Sequence, residues 1–275
     1  MPLTRPVRFE APVERGTGAR RGIYVVAFGE AARESAVTLM ESAKRHMPDL
    51  PICLCAAAPI GLEDVFVAQP DSDVGGRRAK LRAYELAPAE WEQILYLDAD
   101  TVVTAPIYQY FNWVADGWEL VICRDINSMQ TLHTFERKAC KAEVAETLAL
   151  VGTAHTLQYN GGAWACRRSE RVEAFFRRWR TEWERYAQRD QGALLRALHL
   201  EPLRTLVLGS EWNTFPTFQP GQATAGLLHY PGAARRWVGA IPGRIDGEEA
   251  WAMVEQHLAQ QAGPQVKTAA GRRGR

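Results

Sequence analysis

Two short apolar runs with one amphipathic stretch between them constrain this chain more than any other feature. Ile23-Tyr24-Val25-Val26-Ala27-Phe28 is apolar throughout, and Pro51 to Ala56 is equally free of polar alternation. Such runs belong to strands covered on both faces, as in a parallel sheet. Between them Ala36, Met40, Ala43 and Met47 recur every three or four residues, a helical stripe that ends before Pro48. Strand, helix and strand in that order predict a crossover unit, and hence a mostly parallel sheet with helices on its faces.

The alternation continues. The pattern predicts helices over 77–86, 134–151 and 171–186, and strands over 93–97, 119–123, 162–167, 205–208 and 226–228. In the 171–186 helix, Val172, Phe175, Phe176, Trp179, Trp183 and Tyr186 form an aromatic core stripe, with Arg177, Arg178, Glu182 and Arg185 largely opposite. A last amphipathic helix carries Trp251, Val254 and Leu258 and stops at Gly263-Pro264. The expected organisation is therefore a flexible Arg-, Pro- and Gly-rich arm over 1–21, one α/β domain over 22–262, and a basic flexible tail over 263–275. The longest apolar stretch, Ile52 to Leu62, holds a Pro and a Gly and is too short to span a bilayer, so no transmembrane segment is expected. Residues 1–22 lack the apolar centre of a signal peptide, and the expected location is cytoplasmic, with the Arg-rich ends able to touch a membrane surface. The 33 Lys and Arg nearly cancel the 32 Asp and Glu, so any nucleic-acid contact would need a local basic patch. The five cysteines form no C-x-x-C pair and read as small reduced core residues.

The most informative segment is Ile94-Leu95-Tyr96-Leu97-Asp98-Ala99-Asp100-Thr101, a buried strand that ends in two carboxylates one residue apart. Ligands of open α/β sheets bind at the carboxyl ends of strands. Paired carboxylates repel unless a cation sits between them or one takes a proton, and oxygen ligands suit Mg²⁺ or Mn²⁺. The same pair could instead cap the turn that follows. Asp98-Ala99-Asp100-Thr101-Val102 also satisfies the D-x-D-x-T/V opening of haloacid-dehalogenase-like phosphatases, but the later acidic pair those enzymes need is missing. A sugar-1-phosphate nucleotidyltransferase would carry a Gly-rich, basic loop after the first strand, and Phe28-Gly29-Glu30-Ala31-Ala32 is not one. A nucleotide-sugar-binding scaffold without turnover is the non-enzymatic alternative.

Four elements in order resemble the family 8 glycosyltransferases, the group of glycogenin and bacterial lipopolysaccharide galactosyltransferases. They are Ala79 to Tyr84 leading into Asp98-Ala99-Asp100, the Tyr159-Asn160-Gly161-Gly162 segment, the Asp190-Gln191 pair, and His229-Tyr230-Pro231-Gly232-Ala233-Ala234-Arg235-Arg236-Trp237. Together they run over residues 22–237. The resemblance implies a GT-A fold, Rossmann-like, and a metal-dependent transfer of hexose from a UDP-sugar with retention at the anomeric carbon. It implies Asp98, Asp100 and His229 as ligands of Mn²⁺ (or Mg²⁺). It implies Lys80, Gly232 and Arg235 at the donor phosphates, and Asp125, Asn160, Gly161 and Gly162 around the donor. It implies Asp190 and Gln191 as the catalytic residues, both at sugar hydroxyls, with Gln191 in the family's place beneath the sugar. An amide is a poor nucleophile, which favours front-face departure and attack over a covalent intermediate. Arg236 stands where the family has Pro. Asp190 could alternatively cap a helix over 191–198. The acceptor stays open among glycan, protein or peptide, and small molecule. Trp212-Asn213, after the Val207 strand, could stack on an acceptor ring or anchor packing.

Overall fold

The apolar runs form the centre of a seven-stranded sheet in a computed structural model, which describes residues 20–70, 75–125, 131–132, 141–187, 189–216 and 224–231. The first run is β1 (Arg21–Ala27), followed by α1 (Glu30–His46) and by β2 (Ile52–Ala56) from the second. A short strand, β3 (Val65–Ala68), lies at one edge with alternate residues exposed, and this alternation hides it from a search for buried runs. The 77–86 helix is two pieces, α2 (Gly75–Leu81) and α3 (Ala83–Leu86), broken at Arg82. Then come β4 (Gln93–Asp98), β5 (Thr101–Val103), α4 (Gln109–Ala115) and β6 (Leu120–Arg124). The chain continues through α5 (Lys141–Val151), β7 (Tyr159–Arg167), α6 (Glu170–Glu184) and α7 (Asp190–Leu200). It ends in β8 (Thr205–Leu208), a 3₁₀ turn (Ser210–Trp212) and β9 (Leu227–His229).

The strand order is β3-β2-β1-β4-β7-β6-β8. Each neighbouring pair is parallel except where β7 runs against β4 and β6. A second, two-stranded sheet pairs β5 with β9 antiparallel, in a register that sets Thr101 opposite His229. That small sheet lets the end of β4 and the late histidine meet.

Helices cover both faces, as parallel strands require. On one face α1 and α4 press Leu39, Met40, Tyr110 and Phe111 against Ile23, Val25, Leu95 and Leu97. On the other, the α6 stripe of Val172, Phe175, Phe176, Trp179 and Trp183 packs on Trp164, Tyr96 and Tyr24. Ser169 caps α6, its hydroxyl accepting from the Val172 N–H, and Glu170 and Glu173 place negative charge at the helix's positive end. Glu182 departs from its expected place opposite the stripe. It is buried, because Arg196 of α7 reaches it. Cys53, Cys55, Cys123 and Cys166 are free buried thiols, and burial pushes Cys53, Cys123 and Cys166 up to about 12. Among the described residues no helix is long and apolar enough to cross a membrane. Of the expected arm over 1–21, residues 1–19 lie outside the described residues and Arg21 instead opens β1. The last helix, the basic tail and Cys140 also lie outside the described residues.

Candidate active site

The site is built where β4 ends. Asp98 closes that strand, the chain turns through Ala99 and Asp100, and β5 leaves to pair with β9. Thr101 Oγ1 donates to the Asp98 carbonyl at 2.8 Å, and the Tyr230 N–H donates to the Asp100 carbonyl at 2.8 Å. These bonds hold His229 against the turn. Its Nε2 lies 3.4 Å from Asp100 Oδ1 and 3.9 Å from Asp98 Oδ2. One ligand atom from each of the three residues falls within 4.8 Å of the others. Asp100 and His229 are buried, while the Asp98 side chain keeps 29% exposure and opens the cluster to solvent.

Asp98 is oriented from behind. Tyr96, two residues earlier and so on the same face of the strand, donates its hydroxyl to Asp98 Oδ1 at 2.5 Å. Lys80 Nζ approaches the same oxygen at 3.5 Å. Oδ2 is left facing His229. Burial, then the Asp98 carboxylate, hold the Tyr96 phenol well above its ordinary pKa, so it stays a donor.

Lys80 also pairs with Asp190 Oδ2 at 2.7 Å, and both residues are buried. Burial alone would pull the Lys80 ammonium down, but Asp190 and Asp98 outweigh it and raise its pKa. Burial would likewise raise Asp190, but Lys80 reverses it and the carboxyl sits below its usual value. The pair is ionic. Asp190 is not the N-cap of its helix: Arg189 holds that position, and α7 starts at Asp190 with its carboxylate turned to Lys80.

Asn160-Gly161-Gly162 lies at the start of β7. Pairing with β6 shifts here, from Ile122 opposite Trp164 to Cys123 opposite Asn160, so the intervening residues bulge. The bulge presses glycine backbone into the site. A methyl at Gly162 would come 2.4 Å from His229 Cε1 and 2.7 Å from Asp98 Oδ2, and one at Gly161 2.9 Å from Asp190 Oδ2. Asn160 Oδ1 accepts from the Gly162 N–H at 2.9 Å and from Asn213 Nδ2 at 3.0 Å.

Asp98, Asp100, His229, Lys80, Asp190 and the Asn160-Gly161-Gly162 segment therefore form one contiguous group. Asp125 is buried just past β6, its N–H on the Gln158 carbonyl at 2.9 Å. Gln191 is half-buried as the second residue of α7. Gly232, Arg235, Arg236 and Trp237 lie outside the described residues. Trp212 packs edge-on against Tyr110 and Trp113, and Tyr110 donates to its carbonyl at 3.0 Å, so it is a packing anchor. The sequence presents Tyr96 only as part of its strand, and Asn213 only beside Trp212 as an acceptor contact or packing anchor. Tyr96 could have been found from strand parity with Asp98. Asn213 could not, since no local pattern announces its contact with His229 Nδ1 at 3.1 Å.

No protein-family model matches the chain, and no curated protein matches it. Solved structures do. A crystal structure of the galactosyltransferase LgtC with donor and acceptor sugar analogues superposes with a TM-score of 0.54 at 18% identity, covering 86% of this chain and 96% of that one. This chain has the GT-A fold of glycosyltransferases. An active-site Gln-to-Glu mutant of LgtC matches at 16% identity and a TM-score of 0.53 over 86% of this chain and 95% of that one. The bifunctional glycosyltransferase WbbM, in its apo structure, gives a TM-score of 0.59 at 12% identity over 92% of this chain and 54% of that longer one. Within the GT-A frame the acidic turn sits at the carboxyl end of a central strand, where open α/β sheets bind ligands.

The residues fit a divalent cation. Two carboxylates and an imidazole nitrogen converge on one point, a mixed oxygen and nitrogen set able to hold a metal ion. Glycine at 162 leaves clear the space that any other residue's Cβ would fill.

Proposed function

We propose that the chain is a metal-dependent, retaining glycosyltransferase of the family 8 type that moves a hexose from a UDP-sugar, UDP-glucose or UDP-galactose first, to an acceptor. The observation that carries this reading is the convergence of Asp98, Asp100 and His229 beside the buried Lys80–Asp190 pair, at the carboxyl edge of a GT-A sheet. In this reading Asp98, Asp100 and His229 hold Mn²⁺ (or Mg²⁺). A cation bound there supplies Lewis-acid stabilisation of the departing nucleoside diphosphate.

The protein's own groups do the rest. Lys80 presents a fixed ammonium toward the phosphates, already oriented by Asp190 and Asp98. Gly232 and Arg235, outside the described residues, take the phosphate role that the sequence resemblance implies for them. Asp190, Asn160 and Asp125 read ring hydroxyls, since a carboxylate accepts from them and an amide both donates and accepts. Gln191 lies beneath the sugar, and its amide favours front-face attack. Gly161 and Gly162 bring the donor close to the backbone. LgtC was crystallised with donor and acceptor sugar analogues, which supports a nucleotide-sugar donor here.

The test is incubation with UDP-glucose or UDP-galactose and Mn²⁺, without acceptor. Slow UDP release that stops on adding EDTA is the expected result. Release of inorganic phosphate would instead indicate a phosphatase, and no release with intact donor binding a scaffold. Lys80→Met is expected to lower turnover by about 10²–10³-fold with smaller change in Mn²⁺ affinity, because it removes a preorganised charge and not a ligand. Turnover kinetics beside Mn²⁺ titration separate the two, and equal losses in both would remove Lys80 from the phosphate role. An acceptor screen by mass spectrometry, reading a hexose increment, follows.

A further inference from the structure

The buried amides behind the cluster form a relay whose polarity can be read from one end. The Gly162 backbone N–H can only donate, so the Asn160 atom it meets at 2.9 Å is the side-chain oxygen. That oxygen accepts a second time, at 3.0 Å, so the Asn213 group facing it must be the NH₂. The other end of Asn213 is then its carbonyl oxygen, and this faces His229 Nδ1 at 3.1 Å. A carbonyl oxygen only accepts, so Nδ1 must carry the hydrogen. In the neutral ring Nε2, on the far side, then presents its lone pair toward Asp98 and Asp100 at 3.9 and 3.4 Å. Three acceptors facing one point repel unless a cation or a proton lies among them.

We infer that Asn213 is a positioning residue: locked by Asn160 and the Gly162 N–H, it fixes His229 in the Nδ1–H tautomer, so that Nε2 is the atom offered to a cation. The inference rests on the metal reading above. Asn213 and His229 are both buried, and the ring also lies 4.6 Å from Phe215, so neither can turn away without disturbing packing. Neutral histidine in water prefers hydrogen on Nε2, which would block the cluster. A partner on the second ring nitrogen is the general way a protein sets tautomer and orientation of a metal-binding imidazole. Here the partner also ties the imidazole to Asn160 at the start of β7, so the cation site and the donor-facing bulge share one hydrogen-bonded chain.

The test uses the full chain with ¹⁵N-labelled histidine, freed of metal by chelation, at pH 8. A long-range ¹H–¹⁵N spectrum should show His229 with hydrogen on Nδ1. Mn²⁺ alone is then titrated, with free ion read by electron paramagnetic resonance. Asn213→Leu should lose the single tautomer and weaken Mn²⁺ binding by about 10–100-fold. Asn213→Asp, whose carboxylate can only accept, should keep the hydrogen on Nδ1 even though it gives up the bond to Asn160 Oδ1. Asn160→Ala, which does not touch the imidazole, should also mix the tautomers, a result that a packing role for Asn213 would not give. A wild-type His229 carrying hydrogen on Nε2, or Asn213→Leu binding Mn²⁺ as tightly as wild type, overturns the inference. Wild type failing to bind Mn²⁺ overturns the metal reading by itself, while the metal-free spectrum still decides what Asn213 does to the ring.

Discussion

Gly162→Ala is expected to abolish Mn²⁺ binding and to cut metal-dependent UDP release by roughly 10³-fold or more, while leaving a folded protein. The added methyl would lie 2.4 Å from His229 Cε1, 2.7 Å from Asp98 Oδ2 and 2.9 Å from Asn160 Oδ1. Contacts that short force something to move, and the nearest atoms belong to two candidate ligands and to the relay behind one of them. No backbone atom is among those three neighbours, so the fold should pay only the overpacking cost of about 1–3 kcal/mol. Gly161→Ala is the matched control. Its methyl would meet Asp190 Oδ2 at 2.9 Å and Lys80 Nζ at 3.0 Å, and the lysine end can shift. That variant should keep Mn²⁺ affinity and lose turnover alone. Mn²⁺ titration, UDP release and thermal melting on both variants make the comparison. If Gly162→Ala bound Mn²⁺ like wild type, the cation would have to sit elsewhere.

The contrast between these neighbouring glycines shows what a one-dimensional reading reaches. The run Ile94 to Leu97 ending in Asp98 announces both a buried strand and its site, because burial on two faces and a charged terminus are local properties. The aromatic stripe of α6 is equally local. His229 is different. It reaches Asp100 through three-residue strands, β5 and β9, too short to leave a pattern, and only order resemblance suggested the pairing. Asn213 comes into place through a 3₁₀ turn seated on Tyr110 and Trp113, a tertiary arrangement with no periodicity. Edge strand β3 alternates where the core strands do not, so a search for continuous apolar runs passes over it. Glu182 shows the same limit for charge. Its helix position reads as a solvated face until the partner from another helix is seen.

That partner carries the largest expected effect on stability. Arg196→Met should destabilise the fold by about 3–5 kcal/mol at pH 8, and by less at pH 5. Arg196 is fully buried on α7, and its guanidinium reaches two other helices. Nε donates to Glu182 Oε2 at 3.0 Å and Nη2 to the Glu182 carbonyl at 2.9 Å, while Nη1 meets Glu143 Oε1 at 3.2 Å and Thr147 Oγ1 at 2.8 Å. Methionine fills much of the volume but takes the buried guanidinium away from both carboxylates, leaving Glu182 to Arg185 at 3.2 Å. Burial already holds Glu143 above its ordinary pKa, with Arg196 working against that rise. A carboxyl whose folded pKa exceeds its unfolded value of about 4.3 favours the folded state when protonated, and that contribution is lost as pH rises through the folded pKa. Without Arg196 the Glu143 pKa climbs further, so the variant's deficit should grow between pH 5 and pH 8. Urea unfolding of variant and wild type at both pH values gives the difference, with changes common to the two proteins cancelling. A deficit under 1 kcal/mol at pH 8, or a larger one at pH 5, would show that the guanidinium is not what reconciles these acids with the core. Adding Glu143→Leu and Glu182→Leu to the variant should recover most of the loss, because an apolar trio replaces the ionic one without leaving a charge behind. The consequence reaches the site, since α7 begins at Asp190 and Arg196 anchors the helix that aims this carboxylate at Lys80.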